Sequence, residues 1–285
     1  MRVVDERRER LHAMWASVAG SWAENADYVD ARGASVAEAM LDLAGVRPGE
    51  RALELACGPG GVGLAAARRV GPEGEVVLSD VAREMTAIAS ARARALGLAN
   101  VSIRELDLER IDEPDASYDV ALCREGLMFA VDPARAARGL LRILRPGGRV
   151  AVAVWGPRDR NPWLALVLDA VSAQIGAPVP PPGVPGPFAL GDPGRLAGLL
   201  RDAGFADVVD GELPVPLRVP SFEEWWARTT ALAGPLARIM TSLPDGAVRS
   251  ITSRLREMVR PYETPGGLEF GGVTLLAAGR RAMPG

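Results

Sequence analysis

Apolar residues along the chain switch between two spacings. From Arg51 onward, short apolar runs predict buried strands at 51–56, 75–79, 101–105, 118–123 and 149–155. Segments with helical spacing lie between them, at 60–70, 83–96 and 132–145. Strands that are apolar on both sides and alternate with helices predict a doubly wound α/β fold around a mostly parallel sheet. Pro146-Gly147-Gly148 is expected to stop the third helix before the fifth strand. Residues 1–45 read as helical, with Trp15, Val18, Ala19 and Trp22 sharing a face and a second helix running from about Ala34 to Ala44.

The rhythm changes after Trp155. A loop at 156–162 leads to a helix at 163–175, and residues 178–187 hold six prolines in ten, a stiff surface linker. A helix at 193–203 and a strand at about 207–218 resume the α/β pattern, 221–260 is helical, and 268–279 is a final strand, the seventh. The expected organisation is a helical cap at 1–45, a core at 46–220, a second helical cap inserted at 221–262, and the last core strand within 263–285.

The chemistry concentrates where the first strand ends. Leu53-Glu54-Leu55-Ala56-Cys57-Gly58-Pro59-Gly60-Gly61-Val62-Gly63 reads as strand, glycine-rich turn and helix start. Side chains at Gly58, Gly60 or Gly61 would keep a ligand off the backbone, and the helix aims free N–H groups at the turn. The run satisfies the G-x-G-x-x-G dinucleotide pattern, and Asp80 ends the second strand 20 residues after Gly60, placed to bind a ribose diol. Those features fit NAD and S-adenosylmethionine equally. Two more acids separate the readings. Glu54 lies beside the turn, where it would repel a pyrophosphate but suits a sulfonium and an α-amino group. Asp107 ends the third strand, placed to accept a hydrogen bond from an adenine amine.

With these motifs in order, the chain resembles the class I S-adenosylmethionine-dependent methyltransferases, in the broad group of the ubiquinone and menaquinone methyltransferases. Glu54 to Gly60 matches the first motif of that family. Val76 to Asp80 matches the second, with Met85 where the family packs the adenine, and Asp107-Leu108 matches the third. Ala116 to Val120 and Leu144 to Val150 resemble the elements around the fourth and fifth strands. The likeness is strong over about 47–155 and weak in the C-terminal strands. It implies a seven-stranded Rossmann-like sheet with helical N-terminal and C-terminal caps, S-adenosylmethionine as cofactor, S-adenosylhomocysteine as product, and a cofactor wall of Glu54, Ala56, Cys57, Gly58, Pro59, Gly60, Asp80, Val81, Met85, Asp107, Leu108, Cys123 and Arg124.

Methyl transfer needs a base only where the acceptor must lose a proton. His12, the single histidine, is the catalytic candidate, with Glu125 and Tyr28 behind it. Trp15 and Trp22 are candidates to cap the site. Phe129, Trp155, Trp163, Trp225 and Trp226 are candidates for the acceptor pocket, and Arg158 and Arg160 for an acidic substrate. All 33 basic residues are arginine, so no lysine acts as base or Schiff-base former. A net charge of -3 gives no basic field for nucleic acid. The two cysteines, Cys57 and Cys123, have no metal-ligand spacing and read as free thiols. No apolar run reaches the length of a membrane span, and the charged N-terminus lacks the pattern of a signal peptide, so a cytoplasmic location is expected. The expected activity is methylation of a small apolar or aromatic molecule, at oxygen before carbon or nitrogen. An NAD(P)-dependent oxidoreductase and a non-catalytic cofactor-binding protein on the same fold are the alternatives. The oligomeric state stays open, a homodimer included.

Overall fold

In the computed structural model, which describes residues 2–284 (the backbone alone for 2–5, 7 and 235), two helices, α1 (Arg2–Glu24) and α2 (Ala26–Leu43), precede the first strand. Strands and helices then alternate: β1 (Arg51–Glu54), α3 (Gly61–Val70), β2 (Glu75–Asp80), α4 (Arg83–Ala95), β3 (Val101–Glu105), β4 (Tyr118–Arg124), α5 (Pro133–Ile143) and β5 (Leu144–Trp155). Helices α6 (Pro162–Ile175) and α7 (Arg195–Ala203) lead to β6 (Ala206–Pro214) and β7 (Leu217–Val219). Helices α8 (Phe222–Leu232), α9 (Gly234–Ser242) and α10 (Asp245–Met258) precede β8 (Glu263–Thr264), β9 (Gly267–Phe270) and β10 (Val273–Arg280).

Seven strands form one sheet in the order β3-β2-β1-β4-β5-β10-β6. β1 to β5 pair in parallel, whereas β10 runs antiparallel to both β5 and β6. The two-residue period of the strands divides the core. Leu53, Val77, Ala121, Cys123, Val150, Val152 and Val154 face one side, packed on Ala136, Leu140 and Ile143 of α5 and Leu196 and Leu200 of α7. Ala52, Val76, Leu78, Val120, Leu122, Ala151 and Ala153 face the other, against α2, α3 and α4. The strand order reverses between β1 and β4. The crevice beyond their carboxyl ends is where open α/β sheets bind ligands.

Three expectations about element boundaries are corrected. α2 begins at Ala26 and passes through Gly33 instead of starting after it. Glycine leaves room there for the Arg124 guanidinium lying against the helix, which a Cβ would force to shift. β5 begins at Leu144, which pairs with Tyr118, so Pro146-Gly147-Gly148 is an irregularity inside the strand and not a helix stop. The final strand is split. β9 leaves the large sheet to pair with β7 and β8, and only β10 returns to the core. The break falls at Gly271-Gly272, where a side chain on Gly272 would collide with the Val215 carbonyl, whose own residue N–H donates to Gly272 O at 2.8 Å. The C-terminal cap is therefore helices plus a three-stranded sheet, and 263–285 holds three strands.

The cap has its own core. Trp163, Leu164, Val167 and Val171 of α6 meet Leu217, Trp225, Leu236, Ile251, Leu255, Leu268 and Phe270. The Trp225 indole N–H donates to Trp163 O at 3.0 Å, which satisfies the one polar atom of a fully buried ring. Helix α1 joins cap to sheet domain: Val18 and Ala19 pack on Ala82 and Met85 at the start of α4, with Ala237 of α9 at the same cluster. Among the described residues, no helix is long and apolar enough to cross a membrane.

Candidate active site

The glycine turn is braced from behind. Glu54 is 1% exposed, and its Oε2 accepts the Gly63 N–H at 2.7 Å. Asp80 accepts the Gly58 N–H through Oδ2 and the Ala82 N–H through Oδ1, both at 2.9 Å. The Gly60 N–H donates to Cys57 O at 2.8 Å. Arg92 of α4 holds Pro59 O and Asp30 of α2 at 2.9 and 2.6 Å. Burial pushes the Glu54 carboxyl up to about 8, against the opposing pull of Arg124 and of the Gly63 N–H. Burial also raises Asp80, against three backbone N–H groups.

In front of the turn lies a cavity of about 940 Å³, counting the solvent at its mouth. Sheet order lays out its charged groups: Asp107 beyond β3, Asp80 at the end of β2, Glu54 on β1, then Arg124 and Glu125 at the end of β4. Glu54, Ala56, Cys57, Gly58, Pro59, Asp80, Val81, Met85, Asp107, Leu108, Arg124 and His12 all line it. Gly60 and Cys123 do not. Gly60 has φ +95°, and a Cβ there would meet Ala89, Leu78 and Leu64 at 3.2–3.3 Å, so its close approach is to the core and not to a ligand. Cys123 is 1% exposed beneath Gly126, and burial pushes its thiol up to about 12. Gly58 differs. It has φ +51°, and a Cβ would meet nothing nearer than the Trp22 ring at 3.9 Å, so the cavity itself is what a side chain would fill.

Helix α1 forms the opposite wall. Arg8 pairs with Glu109 at 2.7 Å and Asp107 at 3.3 Å, and Glu109 also accepts the Val131 and Asp132 N–H groups. Trp15 packs edge-on to Phe129 and Trp22, with centroids 5.0 and 6.2 Å apart, and the Trp22 indole donates to Leu232 O in the cap at 3.1 Å. His12 lies 3.9 Å from Asp107, and burial lowers its pKa although that carboxylate opposes the shift.

A second cavity, of about 800 Å³, shares Trp22, Arg124 and Glu125 with the first. Tyr28 and Arg32 of α2, Trp155 of β5, Trp163 of α6 and Arg228 of α8 line it. Phe129 is in the first cavity, Trp225 is buried in the cap core, and Trp226 packs at that core's edge. Arg158 and Arg160 are paired with Asp169 and Glu212 at the surface. Beside Arg124, the arginines at the cavity are Arg32 and Arg228, which the sequence did not single out. His12 is not there. It stands by Asp107, three strand spacings or about 14 Å from the end of β4.

The donor set fits one of the two nucleotide cofactors. Three N–H groups of the turn already serve Asp80, Cys57 and Glu54, so little of an anion nest remains, and five acids line the cavity. That wall disfavours a pyrophosphate and suits a cationic sulfonium.

Residues 52–148 match a family described as methyltransferase domain. Nocamycin O-methyltransferase of Saccharothrix syringae is 33% identical over 255 residues, spanning 78% of this chain and 91% of that protein. The chain belongs to the class I S-adenosylmethionine-dependent methyltransferases. The ubiquinone/menaquinone biosynthesis C-methyltransferase UbiE of Ectopseudomonas mendocina is 39% identical over 133 residues, 46% of this chain, and the match spans about half of that relative, 52%. The YcgJ protein of Bacillus subtilis shares the fold, with a TM-score of 0.58 and 20% identity over 87% of this chain and 98% of that one. The methyltransferase uses S-adenosylmethionine, which supplies an electrophilic methyl group at its sulfonium. The enzyme's own part is to bind, orient and desolvate the reactants.

Proposed function

We propose that the enzyme transfers the methyl group to an oxygen of a small apolar or aromatic molecule seated in the second cavity. The observation that carries this reading is the shared wall. Trp22, Arg124 and Glu125 border both cavities, so reactants in the two would meet there. Aromatic faces from Tyr28, Trp155 and Trp163 suit a flat or apolar acceptor.

In this reading, Asp107 and Leu108 hold the adenine beside Met85, Asp80 and Val81 hold the ribose, and Glu54, Ala56 to Pro59 and Arg124 surround the methionine part. Gly60 and Cys123 support that wall from behind. Glu125 is the group placed to receive a proton from a hydroxyl acceptor. Its backbone is held at φ +57°, with its N–H on Ala153 O at 2.7 Å. Tyr28 lines the second cavity alone, and His12 serves the cofactor cavity. Oxygen as the methylated atom is favoured by the O-methyltransferase relative, which aligns along most of both chains.

Calorimetric titration with S-adenosylhomocysteine and, in parallel, NADH tests the cofactor assignment. One-site binding of the former alone is expected. Incubation with S-adenosylmethionine and a panel of phenols, carboxylic acids and amines should then give a product heavier by one methyl. NADH binding in place of S-adenosylhomocysteine, or turnover of amines alone, would sink the reading.

A further inference from the structure

Among the arginines of the second cavity, Arg32 is distinct. Arg228 is held by Glu224 at 2.6 Å, and Arg124 donates to Gly33 O at 3.4 Å. The Arg32 guanidinium lies over the face of the Trp163 ring, 3.8 Å from its centroid. Among the described residues it has no hydrogen-bond acceptor and no carboxylate within ion-pair range. Stacking satisfies the π face of a guanidinium and leaves its N–H edge pointing elsewhere. A partly buried cation with that edge unmet carries a desolvation cost that an anionic partner offsets. Tyr28, Glu125 and Arg124 act on it only through space, and burial lowers its pKa.

We infer that Arg32 anchors an ionised oxygen acid carried by the methyl acceptor. The inference rests on reading the second cavity as the acceptor site, and it narrows the substrate from apolar molecules in general to aromatic or apolar acids. Arg32 lines the second cavity and not the first, so an acceptor anchored on it would present a different atom to the shared wall. The planar N–H fork of arginine donates two parallel bonds to a carboxylate, or one to an enolate or phenolate. Trp163, beneath the guanidinium, holds that fork in place. Arg32 is in this sense a residue for substrate specificity, and methyl transfer does not pass through it.

The test uses the full chain saturated with S-adenosylhomocysteine. Calorimetry compares aromatic carboxylates of one to three rings with their primary amides, and nitrophenols with their methyl ethers, near pH 8. The acids are expected to bind roughly tenfold or more tighter than their neutral partners. Arg32→Lys should keep part of that preference and Arg32→Gln should abolish it, with S-adenosylhomocysteine affinity within about twofold of wild type in both. The carboxylate and nitrophenol arms distinguish the two sources of an anionic oxygen. No preference anywhere in the panel, or one that survives in Arg32→Gln, overturns the inference. A wild-type enzyme that fails to bind S-adenosylhomocysteine overturns the proposed function first, and the loading step reveals it before any acid is added.

Discussion

Glu54 is a buried acid that should be protonated in the free enzyme and ionised in the cofactor complex. Its carboxyl is 1% exposed, has one backbone N–H donor, and titrates at about 8. At pH 7 about nine-tenths of the free enzyme therefore carries a proton on Glu54. A ligand that brings a sulfonium and an ammonium into the adjoining cavity favours the carboxylate, as any opposite charge within a few ångströms does. A fall of two pH units in that pKa corresponds to about 2.7 kcal/mol of differential interaction and releases about 0.8 proton at pH 7. Calorimetric titration with S-adenosylmethionine, repeated in buffers of different ionisation enthalpy, measures the proton count directly. Affinity should also rise with pH near neutrality, by roughly six- to sevenfold per pH unit at pH 7. S-adenosylhomocysteine, without the sulfonium charge, should release less. Glu54→Gln keeps an oxygen for the Gly63 N–H and should remove most of the release. A wild-type enzyme that binds with no proton exchange, or a variant that releases as much as wild type, would refute the reasoning.

The free enzyme carries the linked stability effect. The folded Glu54 pKa lies above its unfolded value of about 4.5, so the native state binds the extra proton between pH 4.5 and about 8, and stability falls as pH rises through that window. In urea unfolding, wild type should lose up to about 1.4 kcal/mol per pH unit relative to Glu54→Gln; parallel profiles would count against a neutral Glu54. Gly58→Ala and Gly60→Ala should part company. The first pays about 1 kcal/mol of left-handed strain and mainly weakens S-adenosylhomocysteine binding, whereas the second also presses on Leu78, Leu64 and Ala89 and should cost roughly 2 kcal/mol or more in chemical denaturation. Cys57 and Cys123 are buried, with thiols raised by desolvation, so a thiol reagent at pH 8 should react with neither in the native enzyme and with both after unfolding; rapid native labelling would contradict their burial. Glu109→Gln weakens the Arg8 clamp and should speed amide exchange across α1 while α3 and β1 stay protected.

The sheet domain was readable because its information is local. A strand buried on both faces shows itself as a run of Val, Leu and Ala, and the first-motif residues are consecutive. Glu54, Asp80 and Asp107 are far apart in sequence but sit at the ends of successive strands, a position that strand-helix counting predicts. Roles within that frame were less visible. Gly58 and Gly60 look alike in the sequence, yet one Cβ would enter the cavity and the other the packing between α3, β2 and α4. Asp80 does more than line the cavity, because it also holds the N–H groups of Gly58 and Ala82. Its removal should therefore disturb the turn as well as the cavity wall.

The second cavity was only partly legible, for a different reason: Trp155 and Trp163 were expected at a pocket and do line it, but its arginines were not. Its lining comes from α1, α2, β4, β5, α6, β7, α8 and β10, and Arg32 and Arg228 look ordinary where they stand. Arg32 is one of 33 arginines, distinguished only by what fails to reach it and by the Trp163 ring 131 positions later. Arg158 and Arg160 had the better local case, beside a tryptophan and a loop, and each turned out to be paired with a surface acid. Residue type alone likewise favoured His12 as a base, but topology puts it at the β3 end of the sheet and the shared wall at the β4 end. Gly33 holds the one local clue to this side. A glycine inside a helix costs about 1 kcal/mol relative to alanine and is retained where something must lie against the backbone. Here that something is Arg124, which borders both cavities and reaches across α2 one residue from Arg32.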